Sequence, residues 1–229
     1  MTGAEAGAVA TEVPVAAAEA FPWPPPPDRS ILDALFETWR RSVFEPGRFF
    51  TTLPPRAGLG PPLLYYLLIG IASAGLDLFW RFTLLLPLGA GETMGLRALG
   101  IAPEGLWPVV EFLLSPLFLL VVLAFVTLTG HALLALLGGA HHGLNATARV
   151  FAFAYGPQLF AIVPLLGNLV GAVWMVVIAI IGLARAHRTD GWRAALAVLL
   201  PIGIVFFFLL IAFVFLGLLM GVRAATESW

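Results

Sequence analysis

The chain has no cysteine and no lysine, and it carries little charge of either sign. Without cysteine there is no disulfide and no thiolate metal site. Charged residues make up 11% of the sequence, against about 25% in an average globular domain. Hydrophobic residues make up 60%, and the mean hydropathy is +0.98. A single water-soluble domain of 229 residues cannot enclose that apolar excess, so lipid is the solvent for most of the chain. The net charge of -1 is uninformative by itself, since the distribution of charge matters more; no nucleic-acid partner is expected. All 12 basic residues are arginine, which fits GC-rich bacterial coding. A secretory signal peptide is not expected, because residues 1–27 hold three Glu, no basic residue and no apolar core.

Residues 1–29 are rich in Ala and Pro and end in the prolines Pro24 to Pro27, which cannot enter a helix interior. This stretch reads as a disordered tail. Ser30-Ile-Leu-Asp33 then fits the box that caps a helix start. Behind it, Leu32, Leu35, Phe36, Trp39 and Val43 share one helical face, and Asp33, Glu37, Arg40 and Arg41 share the other. The pattern predicts an amphipathic helix over 30–44, lying in the membrane interface as part of a segment 30–60. Glu45-Pro46-Gly47 ends that helix, and RFFTTLPP leads toward the bilayer.

Four apolar blocks follow: 61–87 with Asp77 and Arg81, 107–137 with Glu111 and His131, and the uncharged blocks 150–184 and 194–222. A crossing needs about 20 helical residues for roughly 30 Å of hydrocarbon. The third block, with 35 residues, would form a helix of about 52 Å, too long for one crossing and sufficient for two short ones. A turn at Pro164–Asn168 divides it and returns the chain to the side it left. The expected fold is therefore an all-α integral membrane protein, a bundle of five transmembrane helices. The spans fall at about 61–87, 107–137, 148–164, 167–186 and 194–222, followed by a short tail, 223–229. With the N-terminus in the cytoplasm and the C-terminus outside, Arg29, Arg40, Arg41, Arg48, Arg56, Arg149, Arg185, Arg188 and Arg193 lie inside, and Arg97 and Arg223 lie outside. That asymmetry obeys the positive-inside rule.

Helices in lipid associate through close packing at small residues. Candidate packing positions are Gly167 with Gly171, Gly217 with Gly221, and Ala152 with Gly156. Pro116, Pro157 and Pro201 are expected to start or kink helices.

The landmarks Tyr155-Gly156-Pro157, Pro164, Gly167, Trp174, Gly182-Leu183, His187, Trp192-Arg193-Ala194-Ala195 and Pro201 resemble the core of the Yip1 family of polytopic membrane proteins. WRRSVFEPGRFFTTLP resembles the segment that precedes the first span in bacterial members. The resemblance covers about 36–205 and is strongest over 148–201. It implies five spans, a cytoplasmic N-terminus and, for a bacterial member, the cell (inner) membrane. Eukaryotic members act in vesicle transport and contact Rab GTPases, a role the resemblance does not carry to a bacterial chain. Of their DLxGP motif only Asp77-Leu78 remains here, with Phe79-Trp80 following.

Asp77 and Arg81 stand i, i+4 on one helix face, and Glu111, Tyr155 and Gln158 are the other polar groups expected near them inside the bilayer. They define a candidate intramembrane polar site; the competing reading is a structural ion pair with Arg81 reaching the interface. His131, His141, His142 and His187 invite a metal, but their spacing matches no known zinc site and no metal is expected. Asn145-Ala-Thr147 reads as a helix N-cap, and Thr189 or Asp190 as another. Trp107 and Trp192 fall where interface anchors are expected. No nucleophile elbow, P-loop or dinucleotide fingerprint is present. The chain is thus expected to be neither an enzyme nor a cofactor carrier. It reads as a scaffold, adaptor or membrane-organising factor whose partners are the lipid bilayer and a second copy or another membrane protein. The alternative is a small transporter or channel subunit with its site around Asp77 and Arg81.

Overall fold

Helix boundaries in the computed structural model follow the local chemistry of caps and prolines. It describes residues 21–53, 58–85 and 107–227, with 85 and 221–227 as backbone alone. Arg56, Arg97 and the tail before 21 lie outside the described residues, as do the surroundings of Gly221 and Arg223. The elements are α1 (Ile31–Phe44), α2 (Pro46–Thr51), α3 (Gly60–Trp80), which runs on as one wider turn (Arg81–Leu85), and α4 (Trp107–Leu136). Then come α5 (Gly143–Ala154), a 3-10 helix (Gly156–Ile162), α6 (Leu166–His187) and α7 (Gly191–Glu227). No strand occurs among the described residues.

Ser30 caps α1 as expected: its Oγ accepts from the backbone N–H of Asp33 at 3.1 Å and donates to the Asp33 carboxylate at 2.8 Å. Prolines near the starts of α2, α3 and the 3-10 helix occupy positions where a helix has no use for the N–H. Pro116 and Pro201 sit inside α4 and α7.

Four helices are long and apolar enough to cross a membrane: Gly60–Leu84, Trp107–Leu136, Leu166–His187 and Gly191–Met220. The element expected as the third of five spans, over 148–164, differs in form. It starts earlier, at Gly143, runs as α-helix only to Ala154, and continues as the 3-10 helix. The cause is Pro157, which lacks an N–H and whose ring clashes with a continuing α-helical turn. Asn145 accordingly lies inside α5, and His142 takes the cap position. Beyond the 3-10 helix the chain turns at Val163–Leu165, with Leu165 left-handed at φ 65.

α6 then runs back antiparallel to α5 and the 3-10 helix. Gly171 lies against the carbonyl of Pro157, and Gly182 against Val150. A β-carbon on Gly182 would stand 2.6 Å from Val150 Cγ1, and one on Gly167 would enter the Phe160 carbonyl. The Gly167 and Gly171 pair is therefore spent on packing within the chain. Gly217 has no neighbour within 4 Å.

The N-terminal segment joins this hairpin. The disordered reading of 1–29 does not hold for its end, because Trp23 is buried and its indole N–H donates to the Pro61 carbonyl at 2.6 Å. Phe21 packs edge-on against Phe153, with ring centroids 5.6 Å apart, and beside Phe49 at 5.0 Å. Phe49, Phe50, Tyr65, Val150, Phe153 and Leu183 complete the cluster. Where such a side chain leaves water, its burial is worth about 1.5–3 kcal/mol, enough to hold a short segment that prolines keep out of a helix.

α1 presents three faces. Ala34, Thr38 and Ser42 are buried against the bundle; Leu32 and Phe36 are exposed; and Glu37, Arg40, Arg41 and Glu45 form an ion-pair network. The Arg40 guanidinium, aided by Arg41, holds the Glu37 carboxyl down at about 2. Two indoles fasten α1 to the hairpin. Trp39 donates to the Gly156 carbonyl at 3.0 Å, and Trp174 donates to the Val43 carbonyl at 2.9 Å.

α7 packs through Ala194, Ala197 and Val198, which are buried. From Gly203 to Met220 every residue is exposed. The helix runs to Glu227, so the expected tail from 223 continues it.

Candidate functional site

Polar side chains collect at two places. The first lies where the end of α3 meets α4 and the start of α6. Arg81 NH1 donates to Glu111 Oε2 at 2.5 Å, and Asn168 Nδ2 donates to Asp77 Oδ1 at 3.0 Å. The i, i+4 spacing puts Asp77 and Arg81 on one face, and the fold adds partners from two other helices. Asp77 and Arg81 both line two neighbouring cavities, of about 480 Å3 toward Glu111 and about 290 Å3 toward Asn168. The structure thus brings Asp77, Arg81 and Glu111 together. Tyr155 and Gln158 line neither cavity. Tyr155 stacks edge-on against Tyr66 at 4.6 Å, and Gln158 points its amide at the Met175 sulfur, 3.5 Å away. The Gln158 carbonyl accepts from Ser73 at 3.0 Å. These two residues hold the 3-10 helix against its neighbours.

Sequence reasoning missed Asn168. Its place in the turn Pro164–Asn168, inside an uncharged block, hints at a polar partner but names none.

The second place is the opposite end of the hairpin. His187 is fully buried. Its Nδ1 faces the backbone N–H of His142 at 3.3 Å and therefore accepts. Its Nε2 then carries the proton and donates to Thr147 Oγ1 at 2.9 Å, and Thr147 passes its own hydrogen to His131 Nδ1 at 2.9 Å. His141 Nδ1 donates to the His187 carbonyl at 3.0 Å. The four histidines of the sequence are thus neighbours, brought together from α4, the loop before α5, and α6. Both ring nitrogens of His187 are committed to this network. Among the described residues no group of three or more His, Asp or Glu is placed to hold a metal ion. Thr147, the hinge of the relay, carried no signal beyond its place in Asn145-Ala-Thr147.

Beside this network lies a cavity of about 860 Å3, walled by Phe50, Leu53, Ile180, Ile181 and the buried Arg149 and rimmed by Arg185 and Arg188. Arg149 and Arg185, which flank the uncharged block in sequence, therefore stand at the same end of the bundle. Against known proteins, a family model described as the Yip1 domain matches residues 40–213. No curated protein and no solved structure matches the chain.

Proposed function

The chain belongs to the Yip1 family, and from that premise we propose that it is a non-enzymatic scaffold or adaptor that organises other membrane proteins, or copies of itself, in the bacterial inner membrane. The observation that carries this reading is α7. From Gly203 to Met220 it is apolar and every residue is exposed. A crossing helix that spends only its first turns on its own bundle leaves the rest available to a protein partner. The polar groups inside the bundle fit the same reading, since Arg81 is engaged by Glu111 and Asp77 by Asn168.

The proposed topology has five crossings, with the N-terminus in the cytoplasm, the C-terminus outside, and the charged face of α1 on the cytoplasmic leaflet. α5 and the 3-10 helix together extend about 32 Å, close to the hydrocarbon thickness. Their antiparallel return along α6 supports counting them as an out-and-back pair.

A second reading, a small transporter, is favoured by the two cavities that share Asp77 and Arg81. One experiment separates the two. A photo-reactive amino acid at position 206 or 213 of the full chain, irradiated in native membranes, should give a defined protein adduct. Adducts to lipid alone would end the scaffold reading. A small solute co-purifying with the chain, and lost in the Arg81→Gln variant, would install the transporter reading in its place.

A further inference from the structure

The cavity at the inner end of the hairpin combines features that the scaffold reading does not use. Arg185 and Arg188 are exposed at its rim, Arg149 is buried in its wall with its Nε on the Asn145 carbonyl at 3.3 Å, and no carboxylate among the described residues lines it. The nearest acidic group along the chain, Asp190, lies 3.5 Å from Arg193 and is directed there. The C-terminal carbonyls of α6, which would repel an anion, are partly satisfied: the N–H of Thr189 bonds to Ala184 at 3.0 Å and that of Arg188 to Arg185 at 3.3 Å. The rest of the lining is mostly apolar, with Thr51, His142 and Thr189 as its uncharged polar groups. The volume, about 860 Å3, falls in the range of small-ligand sites, roughly 300–1,000 Å3.

Guanidinium groups in a concave setting are matched to phosphate oxygens, which they bind through paired N–H donors. Arg185 and Arg188 stand exposed on this rim with no carboxylate among the described lining residues, leaving positive charge that a bound anion would relieve. We propose that this cavity binds a phosphate group, carried either by the headgroup of an anionic phospholipid or by a soluble phosphate. The apolar walls Phe50, Ile180 and Ile181 would lie against the glycerol and first methylenes of a lipid, or against the organic part of a soluble phosphate ester. The site stands independently of the scaffold reading, since none of its residues belongs to the exposed part of α7.

The test uses the full-length protein in nanodiscs of phosphatidylcholine with or without phosphatidylglycerol. Lipid retention is read by native mass spectrometry, and melting in pure phosphatidylcholine is followed as inorganic phosphate is added. The variant is Arg185→Gln with Arg188→Asn. Both side chains are exposed, glutamine sustains the helix, and asparagine tolerates the left-handed backbone at 188, where φ is 53. Its melting in phosphatidylcholine without phosphate checks that the fold is kept. Arg29→Gln is the charge control.

Wild type and the Arg29 variant should retain phosphatidylglycerol over phosphatidylcholine, and the double variant should lose that preference roughly tenfold or more. A wild type stabilised by inorganic phosphate but indifferent to phosphatidylglycerol, with the effect gone in the double variant, upholds the site and makes its ligand soluble. A double variant that matches wild type in both arms, or a wild type that responds to neither, overturns the proposal.

Discussion

Gly171 sits so close beneath Pro157 that a β-carbon on it would stand 2.6 Å from the Pro157 carbonyl oxygen. The atom in the way is backbone, and the backbone there is fixed by the proline and the 3-10 turn, so no side-chain rotation relieves the clash. Gly171→Ala should destabilise the protein by about 1–3 kcal/mol. Gly217→Ala, with nothing within 4 Å, should change the monomer by less than about 0.5 kcal/mol. Thermal unfolding of both variants in detergent checks the contrast; equal effects would mean the hairpin is not packed as described.

Arg81 and Glu111 come from different helices and meet at 2.5 Å. If the pair is structural, Arg81→Gln and Glu111→Gln should each lower stability, and the double variant should lose less than the sum. A coupling of about 0.5–2 kcal/mol is expected from pairs of this kind. A double-mutant cycle on unfolding measures it. Zero coupling would release both residues for the transport role.

Thr147 passes a hydrogen bond between two histidines. Thr147→Val keeps the shape and removes the relay, leaving His187 Nε2 buried without its acceptor. The expected cost is about 1–3 kcal/mol, with Thr147→Ser recovering most of it. Unfolding of the two variants under one buffer decides the matter.

The acid response of α1 follows from Glu37. Its carboxyl is held down at about 2, from an ordinary 4.5, first by Arg40 and then by Arg41. A lowered carboxyl stabilises the fold in full above its unfolded value and loses that contribution as pH falls through the folded one. Amide exchange protection of α1 should therefore decline between pH 4.5 and about 2, and Glu37→Gln should remove that dependence while lowering protection at neutral pH.

Because the chain has no native cysteine, single thiols report topology directly. Asn145→Cys and Asp190→Cys should label from the cytoplasmic side, and Leu166→Cys from the opposite one. Labelling of 145 and 190 from different sides would break the out-and-back hairpin. A thiol at 166 protected from both sides would shorten that hairpin to one that stops within the bilayer.

Much of the helical layout was legible because lipid imposes long apolar runs, and the observed helices start and end within a few residues of those runs. Even the division of the uncharged block near Pro164 could be read, since a single helix of that length would overrun the hydrocarbon. The 3-10 half of the hairpin was not legible. Pro157 marks a break, but only packing against α3 and α6 decides that the chain tightens there instead of bending. The role of Trp23 was hidden by the prolines after it, which argue for an extended chain and say nothing about an indole finding a core. The polar clusters were partly legible at best. Asp77 and Arg81 lie one turn apart, whereas Glu111, Asn168, Thr147 and the histidines meet through tertiary contacts that no spacing encodes.

The indoles of Trp39 and Trp174 reach across the same seam in opposite directions, one from α1 into the hairpin and one from the hairpin into α1. A latch doubled in this way lets neither body slide without the other. A displacement of α1 would therefore pull on the Gly156 carbonyl and on Trp174 of α6 together. The break in α-helical bonding at Tyr155-Gly156-Pro157 is thereby tied to a helix whose Leu32 and Phe36 stay exposed.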